Sequence, residues 1–285
     1  MLAAAFVMLP DAHRPAHAAP ANDNLADSIA IATPTTSGIV AVADTTGATT
    51  EGSENLPCGG IGATVWYTWT SPGSPGTVVF DTWGSDFDTV LAIYTGSGYP
   101  LASAGCNDDL FVVGALNRQS GLALTYAAST TYRIQVGGFG GLTGQAVLNM
   151  SLGAAIYVNS TGDTNTADSA ITLREATALA YGGTATLGRG LDPGEAPLVL
   201  NAAGALGIGS SDLIHFAPND FPPATPATIT LGTGLFSLRG GDNVSGIGAG
   251  VIVDGVDKTL ACFSIVSGAG NAVEGIQIRR CDGAI

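Results

Sequence analysis

From residue 63 to residue 152 the chain repeats one pattern, a short alternating apolar and polar run closed by a cluster of Gly, Pro, Asn or Asp. ATVWYTWT (63–70) sets Val65, Tyr67 and Trp69 on one side, and SPGSPG follows as a turn. TVVFDTWG (77–84), TVLAIYTG (89–96), GLALTYAA (121–128), TYRIQVGG (131–138) and QAVLNMSL (145–152) continue it. Side chains alternate between faces only in an extended strand, so this period of two predicts strands and excludes amphipathic helices. Turns this frequent predict an antiparallel sandwich. Its core is expected to hold Val65, Tyr67, Trp69, Val78, Phe80, Tyr132, Ile134 and Val136.

The texture changes after Gly153. AIYVNS (155–160) reads as a strand, and ITLREATALAY (171–181) as the one short helix, with Thr172 and Glu175 spaced for a capping box. Short β-runs follow: LIHF (213–216), ATITL (227–231), LFSL (235–238), VIVDG (251–255), CFSIV (262–266) and VEGIQIRR (273–280). Short strands recurring between Gly, Asn and Asp turns predict a parallel β-helix, and the later runs are spaced by nearly twenty residues. The fold class is therefore all-β.

Charge narrows the partners. With 9 basic against 23 acidic residues the net charge is -14, and a chain so poor in Lys and Arg cannot neutralise phosphates. No nucleic acid is expected among its partners. The apolar run 2–9 and the Ala16-His17-Ala18 pattern before Ala19 predict a signal peptide over 1–18. No Lys or Arg precedes that run, which points to a truncated start. No later segment reads as a transmembrane span, because Gly, Thr, Ser or Asp breaks every apolar run. The expected location is extracellular or the bacterial cell surface. Cys58, Cys106, Cys262 and Cys281 lack the spacing of a zinc site, and in an oxidising compartment one bridge within each half is the simplest of three connectivities.

Residues 22–152 resemble the bacterial pre-peptidase C-terminal (PPC) domain, a jelly-roll sandwich related to the collagen-binding domains of clostridial collagenases. The likeness lies in the stretch 22–31, TTEGSENLPCGG (49–60), GATVWYTWTSP (62–72), FDTWGSDFDTVLAIYTG (80–96), CNDD (106–109) and TYRIQVGG (131–138). Cys58 and Cys106 both fall in that pattern. ITLREA (171–176), followed by IHF, TITL and VIVDG, is similar to the CSLREA-type start of a right-handed β-helix in large bacterial surface proteins, with Ile171 and Thr172 in place of Cys and Ser. The resemblance implies a jelly-roll at 19–153 and an incomplete right-handed parallel β-helix with its capping helix at 154–285, the latter expected to be a fragment.

It also implies calcium. The related collagen-binding domains hold that ion through their N-terminal linker, onto which Asn22 and Asp23 map. Asp86, Asp88, Asp108 and Asp109 offer further hard oxygen ligands in turn-rich segments, although Asp in such segments equally forms Asx-turns. Trp66, Trp83 and Tyr99 fall outside the inward-facing set; Trp66 and Trp83 are expected to cover the second face of the sandwich rather than to stack on a ligand. Arg174 and Glu175, on the capping helix, are expected to be structural rather than a catalytic pair, with Glu175 satisfying backbone amides. For catalysis the chain offers His215 but neither GxSxG nor HExxH. The expected function is a noncatalytic, adhesin-like binding, spacer or substrate-targeting module for an extracellular polysaccharide or matrix protein. The alternative is a fragment of a carbohydrate-active lyase or hydrolase, for which Asp254, Asp257, Arg279, Arg280 and Asp282 are the candidates.

Overall fold

The computed structural model describes residues 17–282 except 57, 59, 113–114, 201–205, 207–210, 236, 257–260 and 268–269. The signal-peptide run 2–9, Phe236 of LFSL and Asp257 lie outside the described residues. The protein is mostly β, with several sheets and one α-helix.

Two sheets pack face to face in the first half. One has the strand order Ile29–Ile31, Ile61–Thr70, Thr131–Phe139, Thr89–Thr95, Ala102–Asn107. The other has the order Gly38–Asp44, Gln145–Ser151, Gly76–Asp81, Gly121–Tyr126. All pairings are antiparallel except that of Ile29–Ile31 with Ile61–Thr70. The alternation explains the packing: every one of the eight expected core residues is buried in the single cluster between the sheets. Trp69 is its hub, meeting Phe80 and Tyr126 edge-on at 5.6 and 5.2 Å. A fully buried side chain of this kind contributes roughly 1.5–3 kcal/mol. Trp66 points the other way and packs with Leu25, Ala92, Tyr94 and Leu101 on the outer face of the five-stranded sheet, the covering role expected of it. Cys58 and Cys106 are bonded to each other, tying the segment before Ile61–Thr70 to the edge strand Ala102–Asn107.

The second half runs largely parallel. Ala155–Val158, Leu213–Phe216, Asn243–Ser245 and Ala272–Glu274 line up side by side, so that Ile214, Val244 and Val273 share one register position. The separation of these three residues is longer than the spacing of the apolar runs suggested. Ala227–Thr230, Val251–Asp254 and Ile276–Arg279 form a second parallel sheet. Two runs are only partly strand: LFSL contributes to Leu238–Arg239 and CFSIV to Ile265–Ser267, which pair with each other. VEGIQIRR is split between two sheets because Gly275, at φ +66°, turns the chain where a side chain would be strained. Cys262 and Cys281 form the second disulfide.

The helix, Leu173–Leu187, carries the expected capping box at Thr172 and Glu175 and ends on a left-handed Gly188. It continues beyond the expected Tyr181 through a break at Gly182 and Gly183, whose dihedrals are not helical. Glu175 is fully buried, accepting from Thr166 N and Thr172 N and paired with Arg189 at 2.6 Å. Arg174 is tied to Asp163 and to the carbonyls of Thr233 and Gly234. Both residues are therefore structural, as expected.

The two halves share a core. Val79, Trp83 and Leu110 are buried in the same apolar cluster as Ile156, Val158, Ile214 and Phe216. Ser37 adds polar stitching, its hydroxyl against Ser211 and its carbonyl accepting from Asn243 Nδ2 at 3.0 Å.

Candidate functional site

Two groupings of ionisable side chains stand out, and they lie in opposite environments. The first is sealed in the shared core. Asp81 ends the strand Gly76–Asp81, His215 lies within Leu213–Phe216 and Tyr157 within Ala155–Val158. Parallel pairing places Tyr157 directly beside His215, and their rings stack with centroids 5.5 Å apart. Trp83, two residues beyond Asp81, covers both at 4.7 Å from Tyr157 and 5.8 Å from His215. Its indole N–H donates to Phe216 O at 3.1 Å.

Asp81 is the acceptor at the centre. Trp83 N (2.9 Å) and Asn149 Nδ2 (2.7 Å) donate to Oδ1, and Tyr157 O–H (3.3 Å) donates to Oδ2. His215 Nε2 lies 3.3 Å from Oδ2, yet neither ring nitrogen has a hydrogen-bond partner of ordinary geometry among the described residues. The ring is thus held by stacking and close packing rather than by hydrogen-bond alignment. Burial alone would raise the Asp81 carboxyl, but the adjacent His215 and the bonds from Trp83 and Asn149 outweigh it and hold Asp81 below the usual carboxylate value. Both side chains are almost inaccessible, 1% and 3% exposed, so an acid–base pair here cannot meet a substrate. It can fix one half of the molecule to the other.

The second grouping is open. Asp88, Asp108 and Asp109 each present a carboxylate oxygen within 4.8 Å of the others. The turn after Ala102–Asn107 folds back on the segment ahead of Thr89–Thr95, held by Asn107 Nδ2 on Asp109 O and Ser120 Oγ on Asp108 O. Asp108 Oδ1 and Asp109 Oδ1 are buried atoms without a hydrogen-bond partner among the described residues. Burial and the neighbouring carboxylates raise both groups, with Arg118 opposing the rise at Asp109. Arg118, mostly exposed, reaches among the described carboxylates only Asp88, at 3.6 Å. Three carboxylates with oxygens left over suit a hard divalent cation, and calcium fits the donor set.

The other expected ligands are not in this cluster. Asp23 accepts from Thr49 N and Oγ1 at 2.6 and 2.7 Å, and buried Asn22 donates to Trp66 O. Both fasten the entry of the chain to the sandwich. Asp86 accepts from Gln145 N at 2.7 Å, which ties its loop to the strand Gln145–Ser151 rather than closing a local Asx-turn. In the second half Asp254 is paired with Arg280, and Arg279 bonds to Gln277. Among the described residues no bond joins Asp282 to these groups, and Asp254 and Arg280 are spent on each other. Trp83 departs from the expected role of covering the sandwich, because its ring belongs to the junction. Sequence reasoning missed Asp81 and Tyr157 as partners of His215; the one signal was a single His inside the apolar strand LIHF, which needs a polar or charged neighbour if it is buried.

No family model matches the chain, and no curated protein or solved structure is significantly similar to it. The class that fold and sites define is accordingly a disulfide-bonded, mostly β protein with a sealed junction and an acidic surface cluster.

Proposed function

We propose that the chain is a noncatalytic extracellular module in which a PPC-type jelly-roll (19–153) and the start of a right-handed parallel β-helix (154–285) act together as a rigid spacer that presents a binding surface to an extracellular polymer or protein. The observation that carries this reading is the shared core: Trp83 and Asp81 are buried among Tyr157, His215 and Phe216, so the halves cannot rock without exposing an indole and a buried charge. Further support comes from the two disulfides, which suit an oxidising compartment. No helix among the described residues is long and apolar enough to cross a membrane. The pairing of Asp254 with Arg280 and the burial of His215 favour the noncatalytic reading over the lyase or hydrolase alternative. Calcium at Asp88, Asp108 and Asp109 would brace the loops on one edge of the jelly-roll.

Small-angle scattering of the full chain tests the spacer. The expected profile is that of one rigid body, unchanged from low to high salt. A profile that requires a flexible ensemble of two bodies would overturn it.

A further inference from the structure

A cleft of about 380 Å³ opens away from both groupings, lined by Leu25, Glu51, Ser97, Gly98, Tyr99 and Arg133 among others. Its size lies within the range of small-ligand sites. Arg133 comes from the strand Thr131–Phe139, and Ser97, Gly98 and Tyr99 from the loop after Thr89–Thr95. The guanidinium is half-buried and donates only to neutral groups, Ser28 Oγ (2.9 Å), Thr68 Oγ1 (2.5 Å) and Gly96 O (3.4 Å). Among the described residues no carboxylate lies within ion-pair distance of it. In a chain with 23 acids to 9 bases, a positioned arginine without an acidic partner is a vacancy for an anionic group.

The rest of the cleft describes the remainder of the ligand. Glu51 uses Oε2 to accept from Leu25 N and Tyr99 O–H, both at 2.8 Å, and no bond among the described residues engages Oε1. That oxygen suits a hydroxyl donor. Tyr99 is held by this bond and by its edge contact with Trp66, 6.3 Å between centroids, so its ring is a fixed wall. A pyranose ring offers such a wall its C–H face. One carboxylate, a hydroxyl and an apolar face together fit a uronic acid.

We infer that this cleft binds a uronate unit of an acidic polysaccharide, its carboxylate on Arg133, a hydroxyl on Glu51 and its ring against Tyr99. The inference deepens the proposed binding role and names its ligand class. The net charge of -14 opposes a polyanion gripped along its length, so recognition rests on a single unit and on this one cation. A peptide carboxyl terminus shares the carboxylate but lacks the hydroxylated ring.

Titration calorimetry of the full chain with trigalacturonate, maltotriose and a short peptide with a free C-terminus tests it. Trigalacturonate should bind at least tenfold more tightly than maltotriose, and the peptide should bind no better than maltotriose. Gly98→Trp fills the cleft from a position where an added Cβ meets nothing within 4 Å, so it should abolish binding without shifting the melting temperature. Arg133→Gln should remove the tenfold preference. The assignment is overturned if trigalacturonate does not bind, if maltotriose or the peptide binds as well, or if binding survives Gly98→Trp. A rigid body in scattering with no saccharide binding would overturn the cleft and leave the spacer standing; a flexible pair of bodies that still binds trigalacturonate would do the reverse.

Discussion

Asp81 lies only seven residues before Asp88, yet the fold treats it and the trio Asp88, Asp108 and Asp109 in opposite ways. Asp81 is fully buried and richly met, by two N–H donors, a phenol and an imidazole. The trio is partly open and poorly met, with two orphaned oxygens and one distant arginine. The carboxyl with the greater burial is the one held low; Asp108 and Asp109, with the lesser burial, are raised. Burial alone therefore does not decide the state of a carboxylate, and the partners do. The difference separates a group that stabilises the native chain from groups that cost it stability, a cost that the proposed cation would relieve.

The largest effect should come from breaking the sealed site. Asp81→Ala strands the His215 ring and leaves the Trp83 amide, Asn149 and Tyr157 without their acceptor. Removal of one partner from a buried pair costs about 3–5 kcal/mol. Urea denaturation of the full chain should show that loss, whereas Asp88→Ala in chelator should change stability little or raise it. Equal losses at the two positions would erase the contrast.

Calcium sharpens the comparison from the other side. An ion bound by the native state alone stabilises by about 2.7 kcal/mol at a hundredfold excess over its dissociation constant. Thermal melts should rise with calcium and much less with magnesium, whose tight octahedral shell suits a loop-built cage poorly. Asp108→Ala should abolish the rise. Asp23→Ala should lower the melting temperature by removing the acceptor of Thr49 but keep the calcium shift intact. A shift lost with Asp23 and retained without Asp108 would move the ion to the N-terminal linker.

Much of this was readable in the residues. Strict alternation in 63–70 and 131–138 predicted a core that the register of Ile61–Thr70 with Thr131–Phe139 reproduces, Tyr132 opposite Trp69 and Ile134 opposite Tyr67. The capping box was legible because Thr172 and Glu175 are local, and the cysteine pairing matched the simplest reading of four thiols in two halves. Contacts distant in sequence were not legible. Trp83 meets Phe216 across 133 residues, and no local pattern says that a tryptophan in GSDFD's neighbourhood seals a junction. The edge strands Gly38–Asp44 and Ala102–Asn107 escaped notice because half-exposed, Ala- and Gly-rich segments carry weak alternation. Of the six expected metal ligands, only the three that the turn and sheet bring together share a site.

The most direct test of the contrast is stability against pH in chelator, for the parent chain, Asp81→Asn and the double variant Asp108→Asn with Asp109→Asn. A carboxyl held low in the fold contributes stability above its unfolded value, near 4. That contribution is lost as the pH falls through the lower, folded value. Raised carboxyls do the opposite: they cost stability at neutral pH and release it as the pH falls through their folded values toward the unfolded one. The deficit of Asp81→Asn should therefore shrink as the pH falls below about 4. The double variant should be the more stable chain at pH 7 and lose that advantage by about pH 4. Parallel curves for the parent and both variants, or a double variant that is the weaker chain at pH 7, would contradict the account.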